Sequence, residues 1–257
     1  MGLFDLTGKV AVITGSSRGI GRAIAEAMAE HGAKVVISSR KAAPCEEAAA
    51  EINAAHPGAA IAIPANISSK DDLQNLVAKT NEALGRIDVL VCNAASNPHF
   101  GSILSIEDDA FRKIFENNVL ANNWLVQLVS PQMIERKEGA IIIVSSIGGL
   151  RGSPVIGAYN VSKAADFQLA RNLAVELGQH NIRVNCIAPG LIQTDFAKAL
   201  WENPDLLKRT TRVTPLGRIG QPEEIAGAAV FLASAAGAYM TGQAMVIDGG
   251  VTINGLG

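Results

Sequence analysis

Along the chain, short runs that are apolar nearly throughout alternate with longer stretches in which apolar residues recur every three or four positions. The first run, 10–13, is rich in β-branched residues. Thr14, a turn with three glycines and an Ala-rich helical pattern follow it, which predicts strand, tight turn and a helix stopped near His31-Gly32. Residues 34–38 read as a second buried strand and 46–55 as a helix ended by His56-Pro57-Gly58. A third strand over 60–65 precedes Asn66 and the cap-like pair Ser68-Ser69, and 71–84 is helical up to Gly85. The fourth strand, 88–92, runs into the small, turn-forming residues Asn93-Ala94-Ala95-Ser96-Asn97-Pro98. Helical patterns over 106–117 and on through Met133, a strand over 140–145, a helix over 159–177, and strands over 182–187 and 244–247 complete the alternation.

Strands that are apolar on both faces and separated by helices imply a parallel sheet covered on both sides. Right-handed crossovers then give a single α/β domain over 1–257, a doubly wound, Rossmann-type sheet of about seven strands. Ligands of such sheets sit beyond the carboxyl ends of the strands, so the loops after strands one to six are expected to line one crevice. The segment 195–213, a long mixture of polar and apolar residues before Pro215, is expected to be a substrate loop or lid.

Composition narrows the function. The 257 residues, 48% hydrophobic and 18% charged, can bury a large core. A formal net charge of -2 without a run of five like charges argues against a nucleic-acid partner. Cys45, Cys92 and Cys186 are odd in number and widely spaced, which fits buried thiols in a reducing compartment and neither a disulfide framework nor a zinc site. His31, His56, His99 and His180 show no ligand spacing, so no metal is expected. No stretch resembles a signal peptide or a membrane span, and the expected location is cytoplasmic.

The glycine turn carries the first chemistry. Gly15 can take backbone angles closed to other residues, Gly19 lets the turn approach a bulky ligand, and Gly21 lets the helix lie close to the sheet. Free N–H groups at the start of that helix form a seat for a pyrophosphate; a bare connecting turn is the alternative. Residues 15–19 also fit the G-x-S-x-G elbow of an α/β-hydrolase, but only one strand precedes them, leaving no room for the rest of the oxyanion hole.

Tyr159 and Lys163 stand four apart at the start of a helix, which stacks them on one face about 6 Å apart along the axis. An ammonium beside a phenol lowers its pKa and makes Tyr159 a proton donor to a carbonyl; a surface pair is the alternative. Ser145-Ser146 closes the fifth strand, either as a substrate-orienting hydroxyl or as a strand-ending turn. Asn118 sits mid-helix, where most asparagines face solvent. After the second strand, Ser38-Ser39-Arg40-Lys41 replaces the acid that binds the ribose 2′-hydroxyl in an NAD site, and Arg18 adds a second guanidinium, so NADP(H) is expected over NAD(H). Arg40 and Lys41 could instead be a solvated helix entry.

Thr14-Gly15-x-x-x-Gly19-x-Gly21, Asn93-Ala94-Ala95, Asn118, Ser146, Tyr159-x-x-x-Lys163, Pro189-Gly190-x-x-x-Thr194 and Asp248-Gly249-Gly250, in this order, resemble the short-chain dehydrogenase/reductases over essentially the whole chain. The runs SSRK, NAASNP, YNVSK and IRVNCIAPGLI look like the carbonyl reductases of that family, of the dehydrogenase/reductase member 4 type. The resemblance implies Tyr159 as general acid/base, Lys163 on the nicotinamide ribose and lowering the tyrosine pKa, Ser146 orienting the carbonyl, and Asn118 completing a water-linked proton relay, with hydride transfer at the nicotinamide C4. It implies cofactor contacts from Gly15, Ser17, Arg18, Gly19, Ile20 and Gly21, from Ser39, Arg40, Lys41, Asn66, Ile67, Asn93 and Ala94, and from Tyr159, Lys163, Pro189, Gly190, Ile192 and Thr194. It also implies a homotetramer acting on a small carbonyl or alcohol.

Two positions depart from the family pattern: Ala95, usually Gly, and Asn66, usually Asp; neither removes the assignment, since Asn can still accept from the adenine amine. No Ser-Lys-Leu ending follows Asn254, where the chain reads Gly255-Leu256-Gly257, which keeps the cytoplasmic expectation. The competing functions are an NAD(H)-dependent alcohol or hydroxyacyl dehydrogenase and a non-catalytic nucleotide sensor; an epimerase is disfavoured because no substrate domain follows Gly250. Pocket candidates are His99, Phe100, Ile147, Leu150, Arg151, Leu191, Phe196, Leu200 and Trp201.

Overall fold

Val10–Thr14 (β1), Lys34–Ser38 (β2), Ala60–Ala62 (β3), Val89–Cys92 (β4), Gly139–Val144 (β5), Ile182–Pro189 (β6) and Ala244–Ile247 (β7) pair in parallel in the order β3-β2-β1-β4-β5-β6-β7. The helices are Gly19–Glu30 (α1), Ala42–Ala55 (α2), Lys70–Leu84 (α3), Asp108–Phe115 (α4), Ala121–Arg136 (α5), Gly157–Leu177 (α6), Lys198–Trp201 (α7), Pro204–Val213 (α8) and Glu223–Ala233 (α9). They are seen in a computed structural model that describes residues 2–255; Leu256 and Gly257 of the ending discussed above lie outside the described residues.

Successive strand residues point to opposite faces, so each apolar strand feeds two cores. Ala11, Ile13, Val35, Ile37, Val91 and Ile142 meet α1, α2 and α9, while Val12, Val36, Leu90, Ile141, Ile143 and Val184 meet α3, α5 and α6. Burying side chains of this size contributes about 1.5–3 kcal/mol each before the cost of ordering them. The doubly wound single-domain α/β fold expected from the alternation is the fold found. β1, β2 and β3 run outward on one side, and the chain then returns to place β4 on the other side of β1. That reversal opens a crevice beyond the carboxyl ends of β1 and β4.

Several boundaries differ from the expected ones for local reasons. β3 ends at Ala62, although Ile63 and Ala65 still donate to Ile37 O and Ser39 O along β2, each at 3.0 Å; Pro64, between them, falls on the open side of this edge strand, where a missing N–H costs no pairing. α2 begins at Ala42, with Pro44 in its first turn, where a missing donor costs little. α6 begins two residues before Tyr159, at Gly157. The long helical stretch is broken between α4 and α5 by a π turn over Glu116–Leu120. α9 was not anticipated; it fills the groove beside α1. No helix among the described residues is long and apolar enough to cross a membrane.

Candidate active site

The glycine turn is shaped by two residues in left-handed backbone, Gly15 at φ 65° and Gly19 at φ 58°. A clamp from β4 holds it: Asn93 Nδ2 donates to Thr14 O at 2.9 Å and Gly15 O at 3.1 Å, and Thr14 Oγ1 accepts from the Asn93 and Ala94 N–H groups, each at 3.1 Å. Gly21 makes this fit: a Cβ there would stand 2.4 Å from Asn93 Nδ2 and 2.5 Å from Gly15 O. Its role is thus packing, and Asn93 spends its side-chain amide on the turn. Arg18, the residue before α1, supplies no side-chain cap, and no acid stands in the first turn, so the helix start presents its N–H groups to an anion.

Beyond the strand ends lies a cleft of about 630 Å³. Gly15, Ser17, Arg18, Gly19 and Ile20 form its floor; Ser39, Arg40 and Lys41 line the side of β2; Asn66, Ile67 and Ala94 line the middle with the Asn93 backbone; Tyr159, Lys163 and Thr194 line the side of β5 and β6. A Cβ on Gly19 would approach Thr194 Cγ2 to 3.3 Å, which leaves the floor open to a ligand only because it is absent. Floor, helix start and a cleft lined from β2 to β6 fit a dinucleotide with its pyrophosphate on α1. Asn66 Oδ1 accepts from Ser68 N at 3.2 Å, so its oxygen shapes the local turn.

Some expected contacts stand elsewhere. Pro189 is the last residue of β6, while Gly190 and Ile192 border a separate small cavity with Leu191, Asp248 and Gly249. Gly190 is required there, since a Cβ would meet Asp248 Cα at 2.8 Å. The Arg18 guanidinium, expected to converge with Arg40, pairs with Asp195 across the cleft at 2.9 Å. Of the pocket candidates, Phe196 lines the cleft with its ring 6.1 Å from that of Tyr159. Trp201 Nε1 donates to Thr194 O at 2.8 Å and so ties α7 to the segment after β6. The 195–213 segment contains α7 and α8 and is not an irregular loop.

Four catalytic-type residues gather at the β5 side. Ser145 and Ser146 separate cleanly: Ser145 Oγ turns inward and donates to Lys163 O at 2.8 Å, whereas Ser146 accepts from Gly148 N at 3.0 Å and lies in hydrogen-bond reach of the Tyr159 hydroxyl. Lys163 Nζ lies 5.7 Å from the centre of the Tyr159 ring, donates to Val144 O at 2.9 Å and pairs with Asp166 Oδ2 at 3.1 Å. The π turn inserts one residue and swings both Asn117 and Asn118 inward. Asn118 is fully buried; its Oδ1 accepts from Ser96 N at 2.8 Å, and Nδ2 donates to Ser96 O at 3.1 Å and Ser162 Oγ at 3.0 Å. Its side chain therefore fixes the loop after β4, contrary to the solvent-facing expectation.

The electrostatics also correct one expectation. Burial pushes the Tyr159 phenol above its ordinary value; the Lys163 ammonium pulls it down, Asp166 pushes it up and the Ser146 hydrogen bond pulls it down, and burial prevails. Lys163 alone does not bring the phenol toward neutral pH. Burial alone would lower the Lys163 ammonium, but Asp166 and Tyr159 beside it hold it above its ordinary value. The arrangement keeps a protonated phenol and a charged ammonium side by side. Asp166, Asn122 and Asn117 were not singled out from sequence; Asp166, three residues after Lys163 on one helix, was the one with a visible signal.

Known proteins share this architecture. The family model described as enoyl-(acyl carrier protein) reductase matches residues 15–252. Dehydrogenase/reductase SDR family member 4 of Bos taurus is 41% identical over 248 residues, covering 95% of this chain and 88% of that protein, and the Homo sapiens protein of the same description is 41% identical over 251 residues with the same coverage. A 7α-hydroxysteroid dehydrogenase solved with NADH and 7-oxo glycochenodeoxycholic acid is 37% identical, with a TM-score of 0.92 over 96% of both chains. A gluconate 5-dehydrogenase from Burkholderia cenocepacia solved with NADP and tartrate is 31% identical, with a TM-score of 0.93 over 98% of both. With the family's strand order, glycine turn and Tyr159-x-x-x-Lys163 pair in one cleft, the chain belongs to the short-chain dehydrogenase/reductase family of oxidoreductases.

Proposed function

We propose that the protein is an NADP(H)-dependent reductase that converts a ketone or aldehyde to an alcohol, reversibly. The observation that carries the reading is the Tyr159 phenol with Lys163 Nζ 5.7 Å from its ring, at one end of a cleft whose other end bears Ser39, Arg40 and Lys41. Ser146 orients the substrate oxygen, and Tyr159 delivers its proton to it as the carbonyl becomes an alkoxide. The third N–H of Lys163, beyond those given to Val144 and Asp166, would be available to the ribose hydroxyls of a bound cofactor. The bound nicotinamide supplies the hydride. In the reverse direction the phenolate accepts the alcohol proton. Asn118 acts by holding the Ser96 loop and the π turn against α6.

The preference for NADP(H) rests on the two basic side chains after β2 and the lack of a carboxylate there. Both an NADP-bound and an NADH-bound relative have this fold, so the fold itself does not decide between them. The 195–213 segment acts as a lid, with Phe196 covering the substrate beside Tyr159. A homotetramer in the cytoplasm completes the reading; free, buried Cys45, Cys92 and Cys186 suit a reducing compartment. The test is the fall in reduced-cofactor absorbance with a panel of ketones and aldehydes. Turnover with NADPH, at least about tenfold better in kcat/KM than with NADH, is expected, equivalent to about 1.4 kcal/mol. No turnover with either cofactor would refute the reading, and equal use of both would refute the role given to Arg40.

A further inference from the structure

Lys163 and Asp166 form an ion pair at 3.1 Å in which both side chains are essentially inaccessible, at 2% and 0% exposure. A buried pair of this kind is often no more stabilising than apolar side chains of the same volume, because removing two charges from water offsets their attraction. Stability alone therefore does not explain a carboxylate here. Its surroundings do: Asp166 Oδ2 accepts from Lys163, and Oδ1 accepts from Asn122 Nδ2 at 3.2 Å. The same amide donates to Asn118 O at 2.7 Å, so the carboxylate links α6 to the π turn and α5. Lys163 thus has one N–H fixed by Val144 O and one by Asp166, and only one direction left for the third.

We propose that Asp166 is a positioning residue of the catalytic centre, a carboxylate that fixes the direction and the charge of the Lys163 ammonium beneath Tyr159. The inference rests on the reading of Tyr159 as general acid. Asp166 touches neither the cleft nor a substrate. It acts through Lys163. The charged and titratable groups facing it are Tyr159 and Lys163 from α6, Cys92 from β4 and Cys186 from β6; Asn118, Asn122 and Ser145 are neutral, and Arg171 lies exposed farther along α6. Burial holds both thiols far above their ordinary range, so they stay neutral. Three groups remain to titrate.

The chain has two tyrosines, and Tyr239 is fully exposed and remote from the cleft, so Tyr239→Phe leaves Tyr159 as the only phenol to follow by its near-ultraviolet phenolate band. Asp166→Asn in that background is expected to displace the Tyr159 phenolate transition of the ligand-free protein by about one pH unit, the usual effect of a charge at this range. The displacement is downward if the ammonium survives uncompensated, and upward if Lys163 surrenders its proton. In both cases the alkaline limb of kcat/KM for carbonyl reduction moves to lower pH, because a protonated phenol and a charged ammonium are both needed. An unchanged phenolate transition and an unchanged limb, whatever happens to stability, would overturn the proposal. Should Asp166→Asn fail to fold, Asp166→Glu keeps the charge and moves it by one methylene; a loss of at least about tenfold in kcat with the limb unmoved is expected, and full kcat overturns it. Wild-type protein that reduces no carbonyl would sink the functional reading alone, since the phenolate titration needs no turnover.

Discussion

Replacing Asn93 by Ala tests how the glycine turn is held. The change removes the Nδ2 donor to Thr14 O and Gly15 O, two carbonyls in the partly buried turn between β1 and α1. Each such hydrogen bond contributes about 0.5–1.5 kcal/mol net, so the pair is worth about 2 kcal/mol. For a domain of this size that is roughly 4–8 °C in Tm, read on ligand-free protein so that cofactor binding does not mask it. The Asn93 backbone N–H keeps its bond to Thr14 Oγ1, so β4 stays in register and the loss is confined to the turn. Gly15, released from one side, no longer presents a fixed floor, and the Kd for NADPH is expected to rise by about tenfold, or about 1.4 kcal/mol. Scanning fluorimetry and titration calorimetry read the two effects. A Tm within about 1 °C of wild type together with an unchanged Kd would refute the clamp, since the net worth of two hydrogen bonds would then be missing.

Three further outcomes follow from the same geometry. Ser39→Asp with Arg40→Ala is expected to invert cofactor preference to NADH, because a carboxylate then accepts from the 2′-hydroxyl and repels a 2′-phosphate; kcat/KM ratios decide it. Asp195→Ala frees Arg18 from its ion pair. Both partners are largely exposed, so NADPH binding is expected to tighten by no more than about fivefold, and a larger gain measured by calorimetry would mean the pair is stronger than its exposure allows. Hydrogen exchange over 195–213 is expected to slow when cofactor and substrate are both present; equal protection with and without them would count against a closing lid.

Much of the fold was legible because β1, β2, β4 and β5 are apolar nearly throughout, on both faces, and leave little choice but a parallel sheet. α9 is hard to read for the opposite reason: EEIAGAAVFLA is apolar almost all round and shows little helical stripe, although Pro222 followed by Glu223 and Glu224 marks a helix start. The π turn was not legible, since one inserted residue leaves no local pattern. Asn118 misled for a related reason. Its partners Ser96 and Ser162 lie 22 and 44 residues away, and only their convergence makes a buried mid-helix asparagine affordable. Tyr159 and Lys163 were visible as a four-residue spacing, but the direction in which the phenol is displaced depends on burial, which spacing does not carry. Arg18 shows the same limit, because its partner Asp195 comes from a segment 177 residues further on.

The measurement closest to the centre of the account is Tyr159→Phe, which removes the hydroxyl and keeps the ring that packs near Phe196. NADPH binding by fluorescence titration is expected to stay close to wild type, while kcat for carbonyl reduction falls by at least about a hundredfold, the usual worth of a positioned general acid. A variant that binds cofactor and retains more than about half of wild-type kcat, far outside that range, would contradict the assignment of Tyr159 as the proton donor.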